Sequence, residues 1–217
     1  MKGLKIGEKH TYNDFGLKML SFSGFSSPEV VEEYQEVPGR HGKLDLSESL
    51  TGEPVYRDRH FEAIFDIEEV NPVEFKKKIH NIKNYLHGRV YRIIDDNEPD
   101  WFYEGRIKVS YIRKNYRFYT VTISSDSVYP YKYKQNKTVV SISATSEAQE
   151  LVLTNERMSV VPEFTCTGET TITFGNITHT MNAGTHIFAD ILLKQGENVL
   201  TVSGSGTLTV LYQEGAL

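Results

Sequence analysis

Apolar residues recur at every second position along much of the chain, the spacing expected of strands with one buried face. Phe61, Ala63 and Phe65 alternate in this way in the first half, as do Leu200 and Val202 near the C-terminus. These runs are rich in Val, Ile, Thr and aromatic residues, so we expect a mainly β (α+β) protein. Predicted strands flank a turn at 13–16 and span 29–35, 43–47, 56–65, 90–94, 101–112, 116–124, 139–143, 163–167, 170–174, 178–181, 187–192, 198–203 and 207–212.

One helix is predicted, from Pro72 to His87. Asn71 is a good N-cap, Pro72 suits the first helical turn, and Gly88 is typical of the position after the last turn. Four apolar residues recur at helical spacing and predict one buried stripe: Phe75, Ile79, Ile82 and Leu86. The lysines outside this stripe are expected on a solvated face, with an anion site as the alternative: Lys76, Lys77, Lys78 and Lys83.

A change in composition predicts two domains. The stretch 125–136 is aromatic and contains Pro130, as expected of an extended connection, and we place the boundary near Asn136. Residues 1–136 are then a β-sandwich-like domain with the one helix at 72–87. Residues 137–217 hold short alternating runs set off by turns, typical of an all-β sandwich.

Charge and cysteine content exclude several classes of protein. The chain has 24 Lys and Arg against 29 Asp and Glu, a net charge of -5 that does not favour nucleic-acid binding. Cys166 is the one cysteine, so an intrachain disulfide or a multi-cysteine zinc site is excluded. The first nine residues lack an apolar signal region, and no run approaches the length of a membrane span. We therefore expect synthesis in a cytoplasm and no membrane insertion.

No arrangement of residues typical of catalysis, metal binding or cofactor binding stands out. The seven histidines include no pair at the His-x-x-x-His spacing, although His80 and His87 lie seven apart on the helix. Ser203-Gly204-Ser205-Gly206 does not have the glycine order of a nucleophile elbow. The acidic run from Asp95 to Asp100 lacks the glycine and distal glutamate of an EF-hand, so a hydrated turn is the better interpretation. We expect no enzyme activity, no metal and no cofactor.

Several segments resemble the distal tail proteins of long-tailed phages. They are Asp14-Phe15-Gly16-Leu17, Val-Pro-Gly-x-x-Gly-x-Leu-Asp at 37–45 and Tyr-x-x-Arg at 56–59. Near the C-terminus, the Gly196–Gly206 segment and the closing Tyr212–Leu217 are similar to the family's galectin-like domain. The resemblance implies a homo-hexameric hub at the tail tip that joins the tail tube to the host-recognition baseplate. It also implies the tail tube protein and a tail-associated lysin or receptor-binding protein as partners.

The stretch around Val37 is the predicted contact between subunits. Pro38 restricts the backbone, and Gly39 and Gly42 permit the positive φ that a reversal needs. Unpaired strand edges in the first half would be a liability unless a neighbouring subunit covers them. We therefore expect residues 1–136 to form the ring, with contacts from Val37, Pro38, Gly39, Arg40 and Gly42.

The alternative function is that of a carbohydrate-binding module for cell-wall sugars. Aromatic rings stack on sugar faces, and five side chains could form such a platform: Trp101, Tyr103, Tyr129, Tyr131 and Tyr133. Alternating aromatics are more often core residues or cross-strand pairs. The second domain also has no room for the sugar-binding insertions of some family members, so the resemblance implies a scaffold.

Overall fold

The computed structural model describes residues 2–217, which divide into two compact units, Met1–Pro130 and Tyr131–Leu217. The boundary expected near Asn136 lies C-terminal to this division. The stretch before Asn136 contains a strand, Lys132–Lys134, that pairs with Gly215–Ala216 at the end of the chain. This pairing explains why residues from Tyr131 onward belong to the second unit. No helix among residues 2–217 is long and apolar enough to cross a membrane.

The first unit contains the helix and an antiparallel sheet. Its elements are β1 (Leu4–Ile6), β2 (Lys9–His10), β3 (Lys18–Phe22), β4 (Tyr34–Gln35), β5 (Leu44–Asp45), β6 (Arg59–Glu68), α1 (Pro72–Leu86), β7 (Val90–Asp95), β8 (Trp101–Arg106), β9 (Lys108–Arg113) and β10 (Phe118–Val128). The strand order is β2-β1-β7-β8-β10-β6-β3, with β9 also paired to β10 and with β4 and β5 in a separate pair.

The helix forms where the sequence predicts it. The Asn71 side chain accepts a hydrogen bond of 2.9 Å from the Val73 backbone N–H, and Gly88 has φ of 80°. The predicted stripe Phe75, Ile79, Ile82 and Leu86 is buried. It packs in one core with Leu4 and Ile93 from one end of the sheet and Phe65 from the other. The buried stripe of the helix therefore belongs to the core of the first unit.

The strands predicted at 90–94 and 116–124 are confirmed, but the predicted strand 101–112 is interrupted. Ile107 is fully buried and bonds to the backbone of Gly88 and Arg89. The chain therefore pairs with β7 before Ile107 and with β10 after it. The stretch after Ser124, predicted as a connection, instead continues β10 to Val128.

The second unit is a two-sheet β-sandwich. Its strands are β11 (Lys132–Lys134), β12 (Thr138–Ser143), β13 (Gln149–Asn155), β14 (Glu163–Cys166), β15 (Thr170–Phe174), β16 (Ile177–Met181), β17 (Gly184–Ile187), β18 (Gly196–Gly204), β19 (Thr207–Tyr212) and β20 (Gly215–Ala216). One sheet has the order β12-β19-β14-β17 and the other β13-β18-β15-β16. Phe164 and Val210 of the first share a core with Ile172 and Val202 of the second.

The predicted sandwich is confirmed in this unit, but one strand was not predicted and one predicted strand is wrong. The strand Gln149–Asn155 was not predicted. The strand expected at 187–192 is wrong: β17 ends at Ile187, and Ile191 is buried in a turn held by its bond to the Phe188 carbonyl. The mainly β class is confirmed, whereas the narrower galectin-like assignment stays a prediction.

Candidate functional site

Residues 27–58 form an extended hairpin that we call the arm. Val30 and Tyr56 form a bridge near its base, and the Arg57 backbone N–H donates 2.8 Å to the Glu29 carbonyl. Further out, β4 pairs with β5, and the Leu46 backbone N–H donates to Glu33. Antiparallel pairing thus continues along much of the arm, and residues 47–54 form a loop between two paired parts of its second strand.

The predicted contact residues lie at the tip of this arm. Val37, Pro38, Gly39, Arg40 and Gly42 are all exposed, and the Arg40 backbone N–H donates 3.1 Å to the Val37 carbonyl. Gly39 and Gly42 have φ of 81° and 75°, in the left-handed region that favours glycine. The turn chemistry read from the sequence is therefore present, and it places these residues together.

The arm has no core of its own. None of the residues from 27 to 58 is buried, and Leu50 is 97% exposed. Val30, Tyr34 and Val55 are also exposed by 41–50%. A two-stranded hairpin is at best marginally stable in water without a surface to pack on. Contact with another surface would therefore stabilise the arm.

The arm is also strongly acidic. Residues 27–58 carry eight Asp and Glu side chains against three Lys and Arg side chains. The negative field is visible at Tyr34, because the nearby carboxylates of Glu32 and then Asp45 raise the pKa of its hydroxyl. The arm thus combines exposed apolar side chains with negative charge.

Arg59 holds the base of the arm in place. Its Nε donates 2.6 Å to the Pro130 carbonyl, and its Nη1 donates 3.3 Å to the carbonyl of Ser26, directly before the arm. The guanidinium lies 5.6 Å from the centre of the Tyr103 ring, which stacks on Phe25 at 3.6 Å. Burial lowers the pKa of Arg59. Arg59 was named from the sequence only within the Tyr-x-x-Arg motif and without a role, although an arginine within an apolar alternation was a usable signal.

A second surface lies on the exposed side of α1 and on the neighbouring strand β9. Lys83 lies 5.0 Å over the Tyr111 ring, and Arg113 lies 5.7 Å over Tyr119. Phe75 joins the two elements, because its ring packs edge-on against the Tyr111 ring of β9 with the ring centres 5.3 Å apart. We call this surface the cationic face and define it as Val73, Lys76, His80, Lys83, Tyr111 and Arg113.

Among solved structures that match, we report one that covers the whole chain. It is the Dit protein (gp 19.1) of phage SPP1, described as a paradigm of the hub adsorption apparatus in phages that infect Gram-positive bacteria. The TM-score is 0.71 at 14% sequence identity, and the match covers 100% of each chain. This chain has the fold of that phage hub protein. The fold that the resemblance to distal tail proteins implied is therefore confirmed.

The likeness to Dit rests on structure alone. No family model matches the chain, and no curated protein gives a significant sequence match. Structure persists after sequence similarity has become too weak to detect, since hydrophobic patterning and volume tolerate many substitutions. At this identity the likeness establishes the fold, and function has to be argued from the surfaces of this chain.

The aromatic residues of the predicted sugar platform differ in how exposed they are. In the Dit-like first unit, Tyr103 is buried under Phe25 and Arg59, whereas Tyr129 is 51% exposed and Trp101 is half-buried. Tyr131 and Tyr133 belong to the second unit and are half-buried. Tyr103 is therefore a core residue and is not available to stack on a sugar.

The histidines and acidic residues singled out in the sequence have local structural partners. His87 accepts 3.0 Å from the Val109 backbone N–H, and His80 contacts the Asn84 side chain at 2.9 Å. Asp96 accepts 2.7 Å from the Gly3 backbone N–H and lies 3.0 Å from His10 Nε2. Among residues 2–217, no group of three or more His, Cys, Asp or Glu side chains is placed to hold a metal.

Proposed function

We propose that this chain is a structural subunit of a phage tail hub, a distal tail protein at the tip of the virion tail. Six copies would form a ring that joins the tail tube protein to the baseplate, where a tail-associated lysin or receptor-binding protein recognises the host. The observation that carries this proposal is the full-length fold match to a phage hub protein. The protein would be made in the host cytoplasm before assembly.

The arm supports a role in assembly. Its tip and its apolar side chains, including Leu50 and Tyr34, are exposed, and it has no core to stabilise it. A contact that repeats head to tail closes into a ring when the rotation returns to the start. Placed between neighbouring subunits, the arm would bury these side chains in each of six identical contacts. We therefore assign ring formation to the first unit.

The proposed role requires neither catalysis nor a cofactor. Sugar binding is the competing function, and it would need exposed aromatic rings. A glycan array distinguishes the two: saturable binding that is lost in Trp101→Ala would favour the carbohydrate-binding module, and no saturable binding is expected for the hub.

Assembly is tested by light scattering coupled to gel filtration, with protein up to about 1 mM because weak assembly depends on concentration. Six copies of a 24.8 kDa chain have a mass of about 149 kDa, which is the expected limit for the full chain. The fragment Met1–Pro130 should also assemble, and the fragment Tyr131–Leu217 should stay monomeric. A full chain that is monomeric throughout, or assembly by the second fragment alone, would contradict the proposal.

A further inference from the structure

The arm and the cationic face lie toward opposite ends of strand β6. The arm leads into Arg59 at the start of β6. Arg113 of the cationic face is opposite Tyr119, which is in turn opposite Ile67 near the end of β6. Eight steps of about 3.4 Å separate Arg59 from Ile67, a distance of about 27 Å along the strand. Within one chain, the base of the arm is thus far from the strand positions next to the cationic face.

The two surfaces carry opposite charge that the chain itself leaves uncompensated. Among residues 2–217, Lys76, Lys83 and Arg113 form no ion pair with a carboxylate, and neither do Glu29 and Glu33 of the arm. The carboxylates nearest to α1 are already used, since Glu69 pairs with Lys78 at 2.7 Å and Glu74 with Lys77 at 2.8 Å. Both surfaces therefore have charge available to a partner.

The shape and apolar content of the two surfaces also match. The exposed side of α1 has a shallow depression lined by Val73, Lys76, Lys77, His80 and Asn81. Val73 is 59% exposed and Tyr111 is 40% exposed beside these cations. The arm presents a narrow hairpin on which Val30 and Tyr34 lie between carboxylates. Apolar contact surrounded by charge is the usual make-up of a specific protein interface.

We propose that the cationic face of one copy receives the acidic arm of the next copy. This inference rests on the proposed hub function and identifies the surface to which the arm binds. A head-to-tail contact between two different surfaces is the kind that closes into a ring. Because these charges lie at the surface, salt weakens the contact by screening.

Charge reversal with rescue tests this pairing in the full chain. The arm variant carries Glu32→Lys and Glu33→Lys, and the face variant carries Lys76→Glu and Lys83→Glu. A control matched to the arm variant carries Glu147→Lys and Glu150→Lys, which make the same charge change as that variant at exposed positions of the second unit. Sedimentation velocity measures the self-association of the wild type, of these three variants, and of a variant that combines the arm and face changes. The measurements are made in about 50 mM and about 500 mM salt.

Each single-surface variant should weaken self-association at least about tenfold in low salt, and the combined variant should recover most of that loss. The control should match the wild type, and high salt should reduce the difference between variants. If the combined variant associates no better than the single-surface variants, or the control weakens as much, the pairing is wrong while the hub remains. If the wild type stays monomeric at every concentration, the hub proposal fails with it.

Discussion

The Nζ of Lys134 lies 2.7 Å from Oε1 of Glu214, and the Glu214 side chain is only 5% exposed. The Thr138 hydroxyl donates to the same oxygen. Backbone pairing of Tyr133 with Gly215 brings these residues together from the two ends of the second unit. The ion pair therefore ties the first strand of this unit to its last.

Replacing Lys134 with Met should destabilise the second unit, because the Glu214 carboxylate would stay buried without its cation. We expect the free energy of unfolding to fall by about 1–2 kcal/mol, less than the roughly 3–5 kcal/mol of a fully buried pair, since the Lys134 side chain is 37% exposed. Urea unfolding of Tyr131–Leu217 measures this. The exposed Lys137→Met is the control and should change stability by less than about 0.5 kcal/mol; an equal loss in both variants would contradict the prediction.

Phe75→Ala should destabilise the first unit by about 3–5 kcal/mol, since the ring is 1% exposed and its loss leaves a cavity against Tyr119. The fluorescence of Trp101, the chain's one tryptophan, reports urea unfolding of this unit. Val73→Ala, on the exposed side of the same helix, should cost less than about 0.5 kcal/mol. A loss under about 1 kcal/mol for Phe75→Ala would show that the helix is not packed as described.

Gly204→Ala should destabilise the second unit by more than about 2 kcal/mol. Gly204 has φ of 135°, and an added Cβ would lie 2.3 Å from the Glu169 carbonyl oxygen. Gly175 has φ of 58° and open space around its Cα, so Gly175→Ala should cost only about 1 kcal/mol of backbone strain. Thermal unfolding of both variants measures the difference, and equal melting temperatures would refute the steric argument.

Acid should weaken the start of α1 through Glu69. Hydrogen bonds from Lys78 and then from the Asn71 backbone N–H lower the pKa of Glu69 from its ordinary value of 4.5. A carboxyl whose pKa is lower in the folded state stabilises the protein above the unfolded pKa, and this contribution is lost as pH falls through the folded pKa. Lys78→Met should therefore destabilise the first unit at pH about 7 and differ less from the wild type below pH about 4.

This prediction is checked by comparing the unfolding midpoints of Lys78→Met and the wild type at the two pH values. The control is a variant at a lysine that has no carboxylate partner. Lys76→Met serves, because Lys76 forms no ion pair among residues 2–217. Its difference from the wild type should not depend on pH in this range. A Lys78→Met effect that is as large in acid as at neutral pH would contradict the assignment to Glu69.

The arm tip and the helix could be predicted because their signals are local. Asn71 and Gly88 mark the ends of α1 through hydrogen bonding and backbone conformation that each residue determines by itself. Gly39 and Gly42 mark the arm turn in the same way. The cationic face was visible only as lysines outside the apolar stripe, because its pairing with Tyr111 and Arg113 requires β9 to lie beside α1.

The strand Gln149–Asn155 could not be predicted from alternation. Leu151, Val152 and Leu153 are consecutive apolar residues, yet Leu153 is fully buried while Val152 is 47% exposed. Pairing with β18 decides which of them faces the core. Tyr103 shows the same limit, since its strand was predicted but its burial depends on Phe25, which reaches it from the base of the arm.

The amino-acid sequence by itself therefore determined the mainly β class, the one helix, the turn at Gly39 and the acidic charge of residues 27–58, because periodicity, backbone preference and charge are properties of neighbouring residues. Only the tertiary structure decided that this segment has no buried residue and that the cationic face lies away from it. Exposure and distance both depend on how segments remote in the sequence pack. The distance follows from strand β6, which has the arm at its Arg59 end and the β9–β10 pair at its Ile67 end.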